Sequence, residues 1–221
     1  KKKRNILLST SNLSVKYGRA VALSSVSLDL KQGSILSVYG HHGAGKSSLL
    51  KALVGAVPYS GKIMLNGKII KRPSPRQMLK NKVFFLPERS AIFDTLSVRE
   101  NIELAAIAIK KSKNLAFVLK LFPELEPILE HNAFSLSGGQ KQIVSFCRCL
   151  IAEPDFFLLD EPFVGLSDYN KIRISEKINM LRDNGKSFLI TGEIKESMVS
   201  NTVQLELDGG KLVAKDKKEI V

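Results

Sequence analysis

An α/β fold built on a mainly parallel sheet is predicted by three features of this 221-residue sequence. Several short apolar runs are continuous rather than alternating. One of them leads into a glycine-rich loop and then a helical stretch. Two other stretches alternate, or turn back at an Asn-Gly pair. Continuous runs suit strands covered on both faces, as in a parallel sheet between helices. Alternation and the Asn-Gly turn suit an antiparallel β layer packed beside that core.

In chain order, residues 21–30 alternate, with Val26, Leu28 and Leu30 set against Ser27 and Asp29. Ile35-Leu36-Ser37-Val38 is the first continuous run, part of a buried strand reaching Tyr39, and a helix is expected from Lys46 to about Ala56. Ile63 to Ile70 holds Asn66-Gly67 between apolar arms, a hairpin signal. Val83-Phe84-Phe85-Leu86 is the second continuous run. Between residues 95 and 135 the pattern turns helical. It opens at Ser97, with Glu100 at capping-box spacing, and carries an apolar stripe through Ile102, Ala105, Ala106 and Ile109. Pro123 and Pro127 are expected to end a second helical piece. Phe156 to Leu159 and Phe188 to Thr191 complete the core, the latter as its last buried strand.

Charge is unevenly divided. Residues 1–87 hold 16 Lys/Arg against one carboxylate, Asp29, whereas residues 88–221 hold 18 against 20. A field of that kind fits nucleic acid, an anionic membrane surface or phosphorylated small molecules. The length and 44% hydrophobic content exclude a disordered chain, and no apolar run approaches the roughly 18 residues of a membrane span. Lys1-Lys2-Lys3-Arg4 is followed by only Ile6-Leu7-Leu8, too short for a signal sequence, so a cytosolic protein is expected. Cys147 and Cys149, two apart on a helix, point to different faces and read as reduced core thiols.

Gly40-His41-His42-Gly43-Ala44-Gly45-Lys46-Ser47 matches G-x-x-x-x-G-K-[ST] between a buried strand and a helix. Backbone N–H groups at such a loop face an anion without Cβ obstruction. Lys46 is expected to reach the β- and γ-phosphates, and Ser47 to offer its hydroxyl to Mg²⁺. His41 and His42 read as exposed loop histidines lacking a third ligand. Phe156 to Leu159 runs into Asp160-Glu161. There Asp160 suits the Mg²⁺ shell and Glu161 suits the base that deprotonates attacking water.

Leu136-Ser137-Gly138-Gly139-Gln140 reads LSGGQ and lies upstream of that carboxylate pair. With the phosphate loop, this order resembles the ATP-binding-cassette ATPases over essentially the whole chain. The resemblance implies a single domain over residues 1–221 with a P-loop NTPase core, an N-terminal antiparallel β subdomain and a small α-helical subdomain. About 1–87 and 150–221 would form the nucleotide-binding part, and about 88–149 the glutamine-loop region, helical subdomain and signature helix. It implies ATP and Mg²⁺ as cofactors, with Gly40 to Ser48 around the phosphates. A second cassette would pair head to tail, so that Ser137, Gly138, Gly139 and Gln140 face its γ-phosphate. Separate transmembrane permease subunits are implied as partners, with the cassette peripheral at the inner face of the cell membrane.

Other positions carry over singly. Tyr17 matches the aromatic residue on which adenine stacks. Glu88, in Leu86-Pro87-Glu88-Arg89, stands where most of the family has a glutamine that touches Mg²⁺ and the attacking water. Glutamate there resembles the ATPase subunits of branched-chain amino-acid importers, as do Phe93, Leu96 to Asn101 and Leu121 to Leu125. Ser167 occupies the aspartate position of the usual Gly-Leu-Asp, with Asp168 one residue late. Glu193 falls where the family has a histidine that contacts the γ-phosphate, which implies a slower hydrolysis because an ionised carboxylate repels phosphate. The function implied first is the ATP-hydrolysing motor subunit of a transporter, an importer of the amino-acid type, and two others compete with it: a soluble cassette acting on ribosomes or nucleic acid, which the basic half favours, and a hydrolysis-impaired regulatory cassette, which Glu193 favours.

Overall fold

The computed structural model describes residues 6–88, 92–108 and 114–213, so Lys1 to Arg4, Arg89 and Ile109 lie outside the described residues. Its strands are β1 (Ile6–Tyr17), β2 (Ala20–Lys31), β3 (Ile35–Tyr39), β4 (Ser60–Leu65), β5 (Lys68–Ile69), β6 (Val83–Leu86), β7 (Phe156–Leu159), β8 (Ser187–Thr191), β9 (Thr202–Asp208) and β10 (Lys211–Val213). Its helices are α1 (Lys46–Leu53), α2 (Pro75–Lys80), α3 (Val98–Ala108), α4 (Leu115–Leu121), α5 (Gly138–Ile151) and α6 (Asp168–Asp183). None of the described helices is long and apolar enough to cross a membrane.

Two sheets form, one antiparallel in the order β2-β1-β4-β5 and one in the order β10-β9-β3-β8-β7-β6. The second is parallel except for the β9–β10 hairpin. Its four expected core strands match the continuous apolar runs, and their burial gives the reason. Phe157, Leu159, Phe188 and Ile190 belong to the core on one face with α3, α5 and α6. Phe156, Leu158, Leu189, Leu36 and Val38 belong to the core on the other face with α1 and the antiparallel layer. A strand buried on both sides has no polar positions to alternate with. Phe157 stacks on Phe188 with ring centroids 4.6 Å apart, which ties β7 to β8.

Local signals set several ends. Asn66 and Gly67 both take positive φ, 51° and 73°, in the turn that joins β4 to β5, as a two-residue hairpin of this kind demands. Ser97 and Glu100 form the expected box: the Ser97 N–H donates to Glu100 Oε2 at 2.8 Å and the Glu100 N–H to Ser97 Oγ at 3.1 Å. Ile102, Ala105 and Ala106 are buried as the stripe predicts.

One expectation needs correction. Helix α1 ends at Leu53 rather than near Ala56, because the chain turns at Gly55, where a Cβ would collide with the Pro73 carbonyl. As expected, helix α4 stops at Leu121, just before Pro123, and both prolines lie in a 3₁₀ segment over Pro123–Ile128. Strand β8 is buried along its whole length, as expected of the last buried strand, and the sheet continues past it in the chain, since β9 pairs with β3. The half-exposed pattern of β9 hid it. Both cysteines are free and fully buried, and burial pushes their thiols up, so they stay protonated and inert.

Candidate functional site

Sheet order places the chemistry. Strand β8 lies between β3 and β7, and all three are parallel, so the phosphate loop, Thr191 and Asp160-Glu161 emerge side by side at the carboxyl ends of adjacent strands. In open α/β sheets that edge is where ligands bind. The exposed Glu88 follows β6 at the same edge. It makes no hydrogen bond or ion pair among the described residues.

Gly40 to Gly45 loop from β3 into α1, whose first residue is Lys46. Gly45 has φ 105° and closely approaches Ala22, whose carbonyl a Cβ would strike. No side chain caps α1, so its first N–H groups have no side-chain competitor for an anion. His41 and His42 are exposed, while Ala44 is buried. Tyr17, 46% exposed at the end of β1, has its hydroxyl 3.4 Å from Ser48 Oγ, which brings its ring beside the start of α1.

Lys46 sits at a helix N-terminus, where a cation is unfavourable against the macrodipole unless an anion compensates. Glu161 does so: Lys46 Nζ is 3.1 Å from Glu161 Oε1, with both side chains mostly shielded. The ammonium also donates to the carbonyls of Gly40 at 2.8 Å and His41 at 3.2 Å. Ser47 Oγ donates to Asp160 Oδ1 at 3.1 Å. Thr191 Oγ1 donates to the same oxygen at 2.7 Å and accepts from the Glu161 N–H at 3.0 Å. Lys46, Ser47, Asp160 and Glu161 are thus brought together, and the sequence pattern alone did not reveal Thr191. Its signal is slight: a polar residue closing an apolar strand.

The signature segment stands apart. Ser137 is the N-cap of α5 in a full capping box, with its N–H donating to Gln140 Oε1 at 2.9 Å and its Oγ accepting from the Gln140 N–H at 3.3 Å. Ser137, Gly138 and Gln140 are exposed, Gly139 is half-buried, and no described hydrogen bond joins them to the phosphate loop. Gly139 lies close to α6, where a Cβ would be 3.2 Å from Asn170 Nδ2. Ser167 has a local role as N-cap of α6, accepting from the Asn170 N–H, and Asp168 in the first turn pairs with Lys171 at 3.3 Å. Glu193 is exposed on the wall of an open cleft of about 480 Å³ that also borders Glu161, Asp168, Lys171 and Lys195.

Residues 23–164 match the family model described as ABC transporter. The chain is 32% identical to the high-affinity branched-chain amino acid transport ATP-binding protein BraG of Pseudomonas aeruginosa, over 95% of this chain and 92% of that protein. It is 34% identical to the probable branched-chain amino acid transport ATP-binding protein LivF of Archaeoglobus fulgidus, over 85% of this chain and 81% of that protein. In fold it is similar to a dimeric bacterial ABC transporter cassette, with TM-score 0.84, 22% identity and coverage of 96% of this chain and 98% of that one.

Proposed function

The chain belongs to the ABC transporter family, and on that premise we propose that it is the ATP-driven motor subunit of a membrane transporter, an importer of the branched-chain amino-acid type. The observation that carries this reading is the meeting of Lys46, Glu161, Ser47 and Asp160 at one edge of the parallel sheet. In this reading Tyr17 stacks on adenine, and Gly40 to Ser48 hold the phosphates. Residues of about 1–87 and 150–221 form the nucleotide-binding part, with the helical subdomain between them.

The donor set fits magnesium, since the Ser47 hydroxyl and the Asp160 carboxylate are both oxygen ligands and Mg²⁺ binds through one or two carboxylates plus phosphate oxygens. When bound, the ion neutralises charge between the β- and γ-phosphates. Lys46 exchanges Glu161 for phosphate oxygens as nucleotide enters. That exchange frees the Glu161 carboxylate to take a proton from the attacking water, with Glu88 following a neighbouring strand as a second acidic group at the same edge. The exposed N-terminus of α5, with Ser137, Gly138, Gly139 and Gln140, faces the γ-phosphate held by a second cassette. Closure of that dimer is favoured by ATP, because the nucleotide gains contacts present only in the closed state. Permease subunits receive the movement, and they hold the cassette at the inner face of the membrane. Glu193 makes hydrolysis slower than a histidine there would, because it adds negative charge beside the phosphates.

The test is size-exclusion chromatography of the Glu161→Gln variant with ATP and Mg²⁺, alongside phosphate release by the unaltered chain. The variant runs as a dimer and the unaltered chain hydrolyses ATP. A variant that stays monomeric, together with an unaltered chain that releases no phosphate, overturns the reading.

A further inference from the structure

We propose that Thr191 and Gly192, at the end of β8, are positioning residues that set the geometry of both acidic groups, Thr191 through its hydroxyl and Gly192 through its lack of a side chain. This deepens the ATPase reading and rests on it.

Thr191 is 1% exposed and Asp160 2%. A hydroxyl has one proton, and here it goes to Asp160 Oδ1 at 2.7 Å, so the lone pairs of the same oxygen remain for the Glu161 N–H at 3.0 Å. One atom therefore fixes the side chain of one residue and the backbone of the next. The backbone contact matters because Glu161 has φ 47°, a left-handed conformation that a residue with a Cβ adopts only at a penalty. Asp160 Oδ1 meets two neutral hydroxyls, from Ser47 and Thr191. Neither cancels its charge, so the carboxylate keeps its attraction for a cation while its orientation is fixed.

Gly192 completes the arrangement. Its φ is 102°, and a Cβ built there would lie 2.5 Å from Glu161 Oε2. Its own position is fixed by Ser37 Oγ, which donates to the Gly192 carbonyl at 2.9 Å, and by its N–H, which donates to the Val38 carbonyl at 3.0 Å. The strand that follows the phosphate loop in the sheet thus reaches the base from two sides, through a hydrogen bond to its backbone and through open space for its carboxylate. Thr191→Val keeps the shape of the side chain and removes both hydrogen bonds. Gly192→Ala removes the space, so that the free end of the Glu161 side chain must yield, and it also strains the backbone at φ 102°, which the thermal midpoint reads separately from the rate.

The experiment compares the full chain with Thr191→Val, Thr191→Ser and Gly192→Ala, reading kcat, KM, thermal midpoint and the affinity for a fluorescent ATP analogue with and without Mg²⁺. Thr191→Val lowers kcat about 10- to 100-fold, as loss of hydrogen bonds to charged and strained groups implies. KM for ATP with Mg²⁺ rises only in step with the lost Mg²⁺ gain, so the larger share of the loss falls in kcat. The analogue binds Thr191→Val in EDTA as it binds the unaltered chain, but the gain in affinity on adding Mg²⁺ falls at least about threefold, the sign of a misdirected Asp160. Thr191→Ser restores kcat to within about threefold, because it returns the hydroxyl. Gly192→Ala loses rate with EDTA binding intact, and it carries the test if Thr191→Val does not fold. The inference is overturned by a Thr191→Val with unaltered kcat and Mg²⁺ gain, or by a Thr191→Ser as impaired as Thr191→Val, which would assign the effect to packing. Should the unaltered chain hydrolyse nothing, the ATPase reading fails by itself, and the Mg²⁺ gain still decides the inference.

Discussion

Strand β7 carries acidic residues at both ends, and the two ends treat them differently. At the amino end, Asp155 is paired directly with two lysines, Lys186 at 2.8 Å and Lys82 at 3.2 Å. Its backbone is also committed, its N–H donating to the Lys82 carbonyl and its carbonyl accepting from the Ser187 N–H. Burial pushes the Asp155 carboxyl up, but hydrogen bonds and charge from Lys186 and Lys82 outweigh it and hold the group below the usual carboxylate range. At the carboxyl end, the Asp160 carboxylate meets only hydroxyls and Glu161 meets one lysine, Lys46. A carboxylate neutralised by two cations stabilises the strand. One oriented by neutral hydroxyls keeps its charge uncancelled, which in the proposed reading serves a metal, and one held by a single lysine is the base of that reading.

Variants at the two ends should therefore separate rate from stability. The largest effect is expected at the carboxyl end, where Lys46→Ala removes the cation that pairs with Glu161 and, in the proposed reading, serves phosphate. Phosphate release should fall about 100- to 1,000-fold, the range for losing one donor to developing charge, with little change in thermal midpoint. A large drop in midpoint with retained turnover would make the two ends alike. Next comes Ser137→Ala, which removes the cap of α5 and costs about 1 kcal/mol of stability. It also lowers ATP-dependent dimer formation of Glu161→Gln, read by size exclusion, whereas a loss of stability with full dimerisation would confine Ser137 to capping.

Glu193→His should raise kcat about tenfold, because that factor corresponds to a modest gain in stabilising the transition-state charge. An unchanged or lower rate removes the role given to Glu193. The smallest effect belongs to the amino end. Asp155→Asn should cost about 0.5 kcal/mol at pH 7, the scale of half-exposed ion pairs, and leave kcat unchanged. Because the folded Asp155 is held below its ordinary value of about 4, its contribution is complete above that pH and fades as pH falls through the lower folded value. Denaturation curves of the two proteins should therefore converge in acid and separate at neutral pH.

What was legible in the sequence was contiguous. Gly40 to Ser47, Asp160-Glu161 and Leu136 to Gln140 each carry their chemistry within a few residues, and each sits on the element its flanking pattern indicated. The four continuous apolar runs were readable for the same reason: burial on both faces leaves a local mark. Strands β9 and β1 left no such mark, since one is half-exposed and the other mixes serines with its apolar positions. The basic excess is also local in sequence, yet only Lys46 and Lys82 among the Lys and Arg before residue 88 form ion pairs among the described residues. Charge density alone did not point to the site.

Composition and motif thus determined the class of fold, the phosphate loop, the acidic pair and the family resemblance, because those depend on residue type at short spacing. Tertiary structure decided that β8 runs between β3 and β7. That pairing depends on which apolar faces pack together across more than a hundred residues. From it came the meeting of Thr191 with Asp160 and Glu161, the open space at Gly192, and the separation of a doubly paired carboxylate at one end of β7 from the Asp160-Glu161 pair at the other.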